Sequence, residues 1–173
     1  MALQPVSRAA APWMMFVALA VGLSAASANP PRTATIAIRG HEQHLQVYGP
    51  PDGPIAIVSS GDGGWMQLGP HVAETLAAHG YHVVGFDVRN YLASFTSSSS
   101  TLSPQNVASD YLDLINSNSA AGAAHRPVLL FGVSEGASLS VLAATDPRVR
   151  ARLDGVVGLG LPDEAELGCP WVT

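Results

Sequence analysis

The segment of this chain most capable of chemistry is Gly132-Val133-Ser134-Glu135-Gly136, a serine with a glycine two residues away on either side. A hydroxyl is a weak nucleophile until the backbone presents it clear of its surroundings, at a point where negative charge is stabilised. The G-x-S-x-G spacing does this mechanically. A serine at the tip of a sharp strand-to-helix turn has a strained backbone, and its neighbours must be small so that strand and helix can pass closely. Gly132 and Gly136 would be the structural glycines of such an elbow, with Ser134 as nucleophile for acyl transfer. A helix starting just beyond it would place the Glu135 N–H beside a developing oxyanion. The plainer alternative is a glycine-rich turn with a surface serine. In a chain with 17 glycines the pattern by itself does not separate the two.

A second stretch fits the same chemistry. Ser60-Gly61-Asp62-Gly63-Gly64-Trp65 follows the apolar run Ile55-Ala56-Ile57-Val58-Ser59, and its glycines free the backbone to turn N–H groups toward a ligand. The Asp62 N–H is the first candidate for the other half of an oxyanion hole, and Gly63 the second. As an ordinary βα loop the segment would need no such role. The Asp62 side chain lies in the wrong loop for a catalytic acid. Asp163 would serve as the acid in variants that carry that residue on the preceding strand.

These residues need strands and helices to position them. Pro127 to Leu130 reads as a buried strand before the elbow, and Ala137 to Ala144 as a helix after it. Upstream come two short strands, about 34–39 and 44–48, joined through Gly40. A strong turn at 49–54, the strand 55–59 and a helix from Leu68 to Ala78 follow. Next are a strand at 81–86, a loop from Asp87 through the serine run 97–100, and a helix from Pro104 to about Ile115 capped by Ser103. Gly155 to Leu161 forms a last buried strand. Alternation at this pace implies βαβ units and a mostly parallel sheet with helices on both faces. With the elbow and the glycine-rich loop after the strand 55–59, the expected fold is of the α/β-hydrolase type. Gly61–Trp65, Asp87–Tyr91, Ser134 and Asp163 would then share the edge at the C-terminal strand ends, where ligands gather.

Composition narrows the function classes. Lys+Arg number 8 against 13 Asp+Glu, giving a net charge of −5, so nothing suggests nucleic acid. Residues 1–28 read as a secretory signal peptide, with Arg8, an apolar run and the small-x-small site Ala26-Ser27-Ala28, cleaved after Ala28 for export to the periplasm. One domain is expected over 29–167, with an unpatterned tail at 168–173. The single cysteine, Cys169, rules out an internal disulfide framework. His41 and His44 lack the spacing and the third ligand of a metal site, and no cofactor motif is present.

The segments Ser59–Trp65 and Gly132–Gly136, with Gly160-Leu161-Pro162-Asp163, resemble the VirJ/AcvB-type bacterial virulence proteins, periplasmic and α/β-hydrolase-like. The resemblance spans roughly Ile55 to Leu167, and S-G-D-G-G-W is its most specific block. It implies an ester substrate, specifically an anionic aminoacylated phosphatidylglycerol, or a secretion-system or membrane-surface contact linked to virulence. The chain departs from that elbow pattern in having Val133 and Glu135 where aromatics usually flank the serine. An acidic neighbour would repel an anionic lipid or recognise a cationic aminoacyl group.

One component is missing from the order expected of such hydrolases, which is serine, then acid, then histidine. All six histidines, at 41, 44, 71, 79, 82 and 125, precede Ser134. The expectation is therefore a C-terminally truncated hydrolase, lacking its last strands and helices and inactive as it stands. The strand around Val157 would then be an apolar, poorly soluble edge. The rival expectation is a non-catalytic periplasmic binding protein.

Overall fold

A computed structural model describes residues 30–97, 100–119, 126–165 and 167. The signal-peptide segment with its cleavage point, residues 98–99 of the serine run, His125 and the tail 168–173 lie outside the described residues.

Two antiparallel strands open the sheet, β1 (Arg32–Ile38) and β2 (His41–Tyr48), with Ile38 opposite His41. Arg39 and Gly40 between them have φ of 45° and 83°, the two positive values of a type I′ hairpin turn. Arginine is costly in that region, and its side chain offsets the cost. The guanidinium forks onto the buried Asp110 carboxylate, Nε to Oδ1 and Nη2 to Oδ2 both at 2.9 Å, and lies 3.7 Å over the Phe95 ring. Both strands begin earlier than the hydrophobic alternation indicates: Arg32 and Thr33 of β1 pair with Val47 and Gln46, and β2 is paired through the polar residues His41, Glu42 and Gln43.

The rest alternates. β3 (Ile55–Ser59), α1 (Leu68–Ala78) and β4 (His82–Phe86) are followed by α2 (Val88–Phe95), α3 (Pro104–Asn118) and β5 (Val128–Val133), then α4 (Glu135–Thr145), α5 (Pro147–Arg150) and β6 (Gly155–Leu159). The six strands lie in the order β1-β2-β4-β3-β5-β6, with β4, β3, β5 and β6 parallel. Every residue of β3 and β4 is buried, which is why both read as unbroken apolar runs. On one face α1 packs Val72, Ala73 and Leu76 against Ala56, Val58 and Val83. On the other, α2, α3 and α4 bury Tyr91, Tyr111 and Leu139 over Ile57, Phe86 and Leu130. The fold is an α/β sheet with helices on both faces.

Two local expectations are corrected. Asp87–Tyr91 is not loop: Asp87 caps α2, whose buried Val88, Tyr91 and Leu92 hold it against the core. The last strand stops at Leu159 because Gly160 turns the chain with φ +61°. Among the described residues β6 pairs only with β5, and its Val157 and Leu159 are exposed. Phe131, beside Val157, lines an open apolar groove of about 230 Å³ with Leu68, Val72 and Leu76 of α1.

Candidate active site

β5 ends at Val133 and α4 begins at Glu135, so Ser134 alone turns the chain. It does so at φ 51°, ψ −120°, a conformation that L-residues rarely adopt. Hydrogen bonds on both sides hold it there. The Ser134 N–H donates to the Leu159 carbonyl at 2.8 Å, and its own carbonyl accepts from the N–H groups of Ala137 at 2.8 Å and Ser138 at 3.3 Å. The flanking glycines are required by close approach. A Cβ on Gly132 would lie 2.2 Å from the Gly136 carbonyl oxygen and 2.4 Å from Ala137 Cα. A Cβ on Gly136 would lie 2.3 Å from the Ser60 oxygen and 2.4 Å from that of Ser59. The first glycine lets β5 and α4 pass each other, and the second lets the elbow lie against the end of β3.

β3 is the direct neighbour of β5, with Ser59 opposite Gly132, so the glycine-rich loop leaves the sheet beside the elbow. Gly61 backs onto the serine, where a Cβ would lie 3.3 Å from Ser134 Cβ and 3.9 Å from Oγ. Gly61 and Gly64 form an antiparallel bridge closed by Gly64 N–H to Gly61 O at 3.0 Å, leaving Asp62 and Gly63 exposed at the tip. Trp65 roots the loop. Its ring occupies the space a side chain on Gly85 would need, at 2.3 Å from that Cβ, and its Nε1–H donates to the Tyr48 hydroxyl at 3.3 Å.

Side chains from the neighbouring strand ends complete the attachment. Asp87 Oδ2 accepts from the Trp65 N–H at 3.3 Å, and the Ser60 hydroxyl accepts from the Val88 N–H at 3.1 Å. Below the elbow, the buried hydroxyls of Ser59 and Tyr111 lie 2.8 Å apart, with the Ser140 hydroxyl donating to Ser59 at 3.5 Å. Burial pushes the Tyr111 phenol up to about 12, so it stays neutral at physiological pH.

The structure thus brings together Ser134, Gly132, Gly136, the N–H of Glu135 at the first position of α4, and the loop carrying Asp62 and Gly63. The Glu135 side chain is buried. Asp163 lies past the end of β6, exposed, with no hydrogen-bond or ion-pair partner among the described residues.

Among the described residues no histidine completes the group. Among the described residues the Ser134 hydroxyl has no hydrogen-bond partner. His82 is at the N-terminal end of β4, in register with Ile55 and through it with Val128, the full length of β5 from the serine. His41 stacks edge-on against Phe95, with ring centroids 4.8 Å apart, while His44, His71 and His79 are exposed. Nor does any group of three or more His, Cys, Asp or Glu among the described residues come together to hold a metal ion.

Sequence reasoning placed Asp87 on this edge but missed its tie to the loop, the Ser60 hydroxyl and the packing of Trp65 on Gly85. Only Asp87 carries a local signal, an aspartate three residues before Asn90 at a strand end, which is an N-cap pattern.

A family model described as bacterial virulence protein (VirJ) matches residues 53–168. No curated protein matches the sequence. Solved structures share the architecture. The thioesterase domain from the curacin biosynthetic pathway aligns at a TM-score of 0.57 and 24% identity, over 80% of this chain and 49% of that one. An epoxide hydrolase from Vigna radiata aligns at 0.56 and 20%, over 78% and 41%. Naproxen esterase from Bacillus subtilis aligns at 0.56 and 15%, over 73% and 41%. The fold is that of the α/β-hydrolases, and the chain spans less than half the length of each of these three proteins.

Proposed function

The chain belongs to the VirJ family of bacterial virulence proteins, and from that membership and the geometry of its elbow we propose that it is an exported serine hydrolase acting on an ester. The observation that carries this reading is the strained backbone of Ser134, held between two glycines and abutting the Gly61–Trp65 loop. Strain at a non-glycine residue persists where surrounding structure over-determines it, and such residues cluster at active sites.

In the proposed reaction Ser134 Oγ attacks the ester carbonyl carbon. A bond forms from Oγ to carbon, the serine proton passes to a base, and the carbonyl oxygen becomes an oxyanion. That oxyanion would be met by the Glu135 N–H and by the N–H of Asp62 or Gly63. Collapse releases the alcohol and leaves an acyl-serine, which water hydrolyses. Family resemblance points to an amino acid esterified to an anionic lipid head group as the acyl donor, in the periplasm. Asp163 would be the acid of the triad.

Among the described residues no histidine is hydrogen-bonded to Ser134 to act as that base. In the subtilisin series, loss of the histidine costs about 10⁶ in kcat, so ester turnover requires a base to reach Ser134. That same observation favours a second reading, a periplasmic binding protein of the virulence or secretion machinery that uses the loop edge without catalysis.

A fluorophosphonate probe separates the two. Its reaction forms the Ser134 Oγ–P bond and breaks P–F, releasing fluoride and passing the serine proton to buffer. Labelling of the wild type but not of Ser134→Ala upholds the hydrolase. Equal labelling of both removes Ser134 from the mechanism, and labelling of neither favours the binding protein.

A further inference from the structure

The glycine-rich loop is fastened at both ends to the start of α2, and we infer that Asp87 is the positioning residue that sets its amides beside Ser134. The inference rests on the hydrolase reading and deepens it. One carboxylate ties two elements together. Oδ1 accepts the Asn90 N–H at 3.1 Å, capping α2, while Oδ2 accepts the Trp65 N–H at 3.3 Å and the Asn90 side-chain amide at 3.1 Å. The carboxylate also packs on Gly64, whose φ is +86° and where a Cβ would lie 3.4 Å from Oδ2. Any side chain at residue 64 would therefore crowd the tie.

A second bridge runs parallel to it. The Ser60 hydroxyl accepts the Val88 N–H at 3.1 Å and donates to the Gly61 carbonyl at 3.2 Å. Gly61 through Trp65 is thus attached to residues 87 and 88 from both sides, and Gly61 touches the serine. A carboxylate can only accept hydrogen bonds. Asp87 uses that capacity on the N–H groups of Trp65 and Asn90 and accepts nothing from Asp62 or Gly63 at the loop tip. It touches neither Ser134 nor the reacting atoms, so it acts through the loop.

The two roles of the carboxylate are separable. Serine is as good an N-cap as aspartate but its hydroxyl is one atom shorter, so Asp87→Ser keeps the cap of α2 and loses the reach to Trp65. Asp87→Ala loses both. The measurements are the second-order rate constant for fluorophosphonate labelling and amide hydrogen exchange of the peptides covering 61–65 and 88–95.

For Asp87→Ser the expected result is wild-type exchange in α2, faster exchange in the loop, and labelling slowed roughly ten- to hundredfold, the scale of an oxyanion donor displaced by about 1 Å. Asp87→Ser labelling at the wild-type rate while Asp87→Ala is slow would make Asp87 a helix cap only and overturn the inference. Unchanged loop exchange in Asp87→Ser would overturn it too, whether or not the serine reacts. If the wild type takes no label yet the loop loosens in Asp87→Ser, the tie stands and the hydrolase reading falls.

Discussion

Replacing Gly136 by alanine perturbs the contact that sets the spacing between the two halves of the site. The added Cβ would lie 2.3 Å from the Ser60 carbonyl oxygen, 2.4 Å from that of Ser59 and 2.7 Å from Ser59 carbon. All three atoms are backbone at the buried end of β3, so no flexible side chain can swing aside. Relief to an ordinary contact needs about 1 Å of separation between α4 and β3. Overpacking of this kind costs about 1–3 kcal/mol. At roughly 2–4 °C per kcal/mol for a chain of this length, Tm should fall by about 2–12 °C. A displacement of about 1 Å at the reacting atoms costs about 100-fold in rate, so Ser134 labelling should slow by that factor. Gly155→Ala is the comparator, since its Cβ would meet only the flexible end of Leu129 at 3.3 Å. Thermal melts and labelling time courses on both variants decide the matter. If Gly136→Ala melts and labels like Gly155→Ala, the close packing of elbow against β3 is not what positions Ser134.

Two further outcomes follow from packing and burial. Gly85→Ala drives a methyl into the Trp65 ring at 2.3 Å, so it should destabilise by about 1–3 kcal/mol alone and much less in a Trp65→Ala background; additive losses in denaturant unfolding would refute that contact. For His82, burial first and the nearby Arg126 second push the imidazole pKa below 6.5, with Arg32 adding and the Pro50 carbonyl opposing. The folded state therefore binds the proton less readily than the unfolded one. Stability should be full above about pH 6.5 and fall as pH drops toward the lowered value. Denaturant midpoints between about pH 7.5 and 5.5 should show this decline in the wild type and less of it in His82→Gln, and an equal decline in both would acquit His82.

The sequence made the elbow legible because its demands are local: a buried strand, two small neighbours and a helix start within seven residues. The parallel strands were legible for a related reason, since Ile55–Ser59 and His82–Phe86 are buried on both faces and so read as apolar runs. α2 was not legible. Its eight residues are few, begin directly after a strand end, and are held by the Asp87 cap and by burial of Tyr91 and Leu92. The role of Asp87 depends on β4 lying beside β3, a pairing that no spacing within one segment encodes. The fit of Trp65 over Gly85 is hidden likewise, as it joins residues on different elements.

The central claim is that Ser134 and the Gly61–Trp65 loop form one site, and the structure of the fluorophosphonate adduct tests it most directly. The phosphonyl oxygen should lie about 2.7–3.1 Å from the Glu135 nitrogen and from that of Asp62 or Gly63. An adduct on another residue, or one on Ser134 with its oxygen turned away from the loop amides, would contradict it.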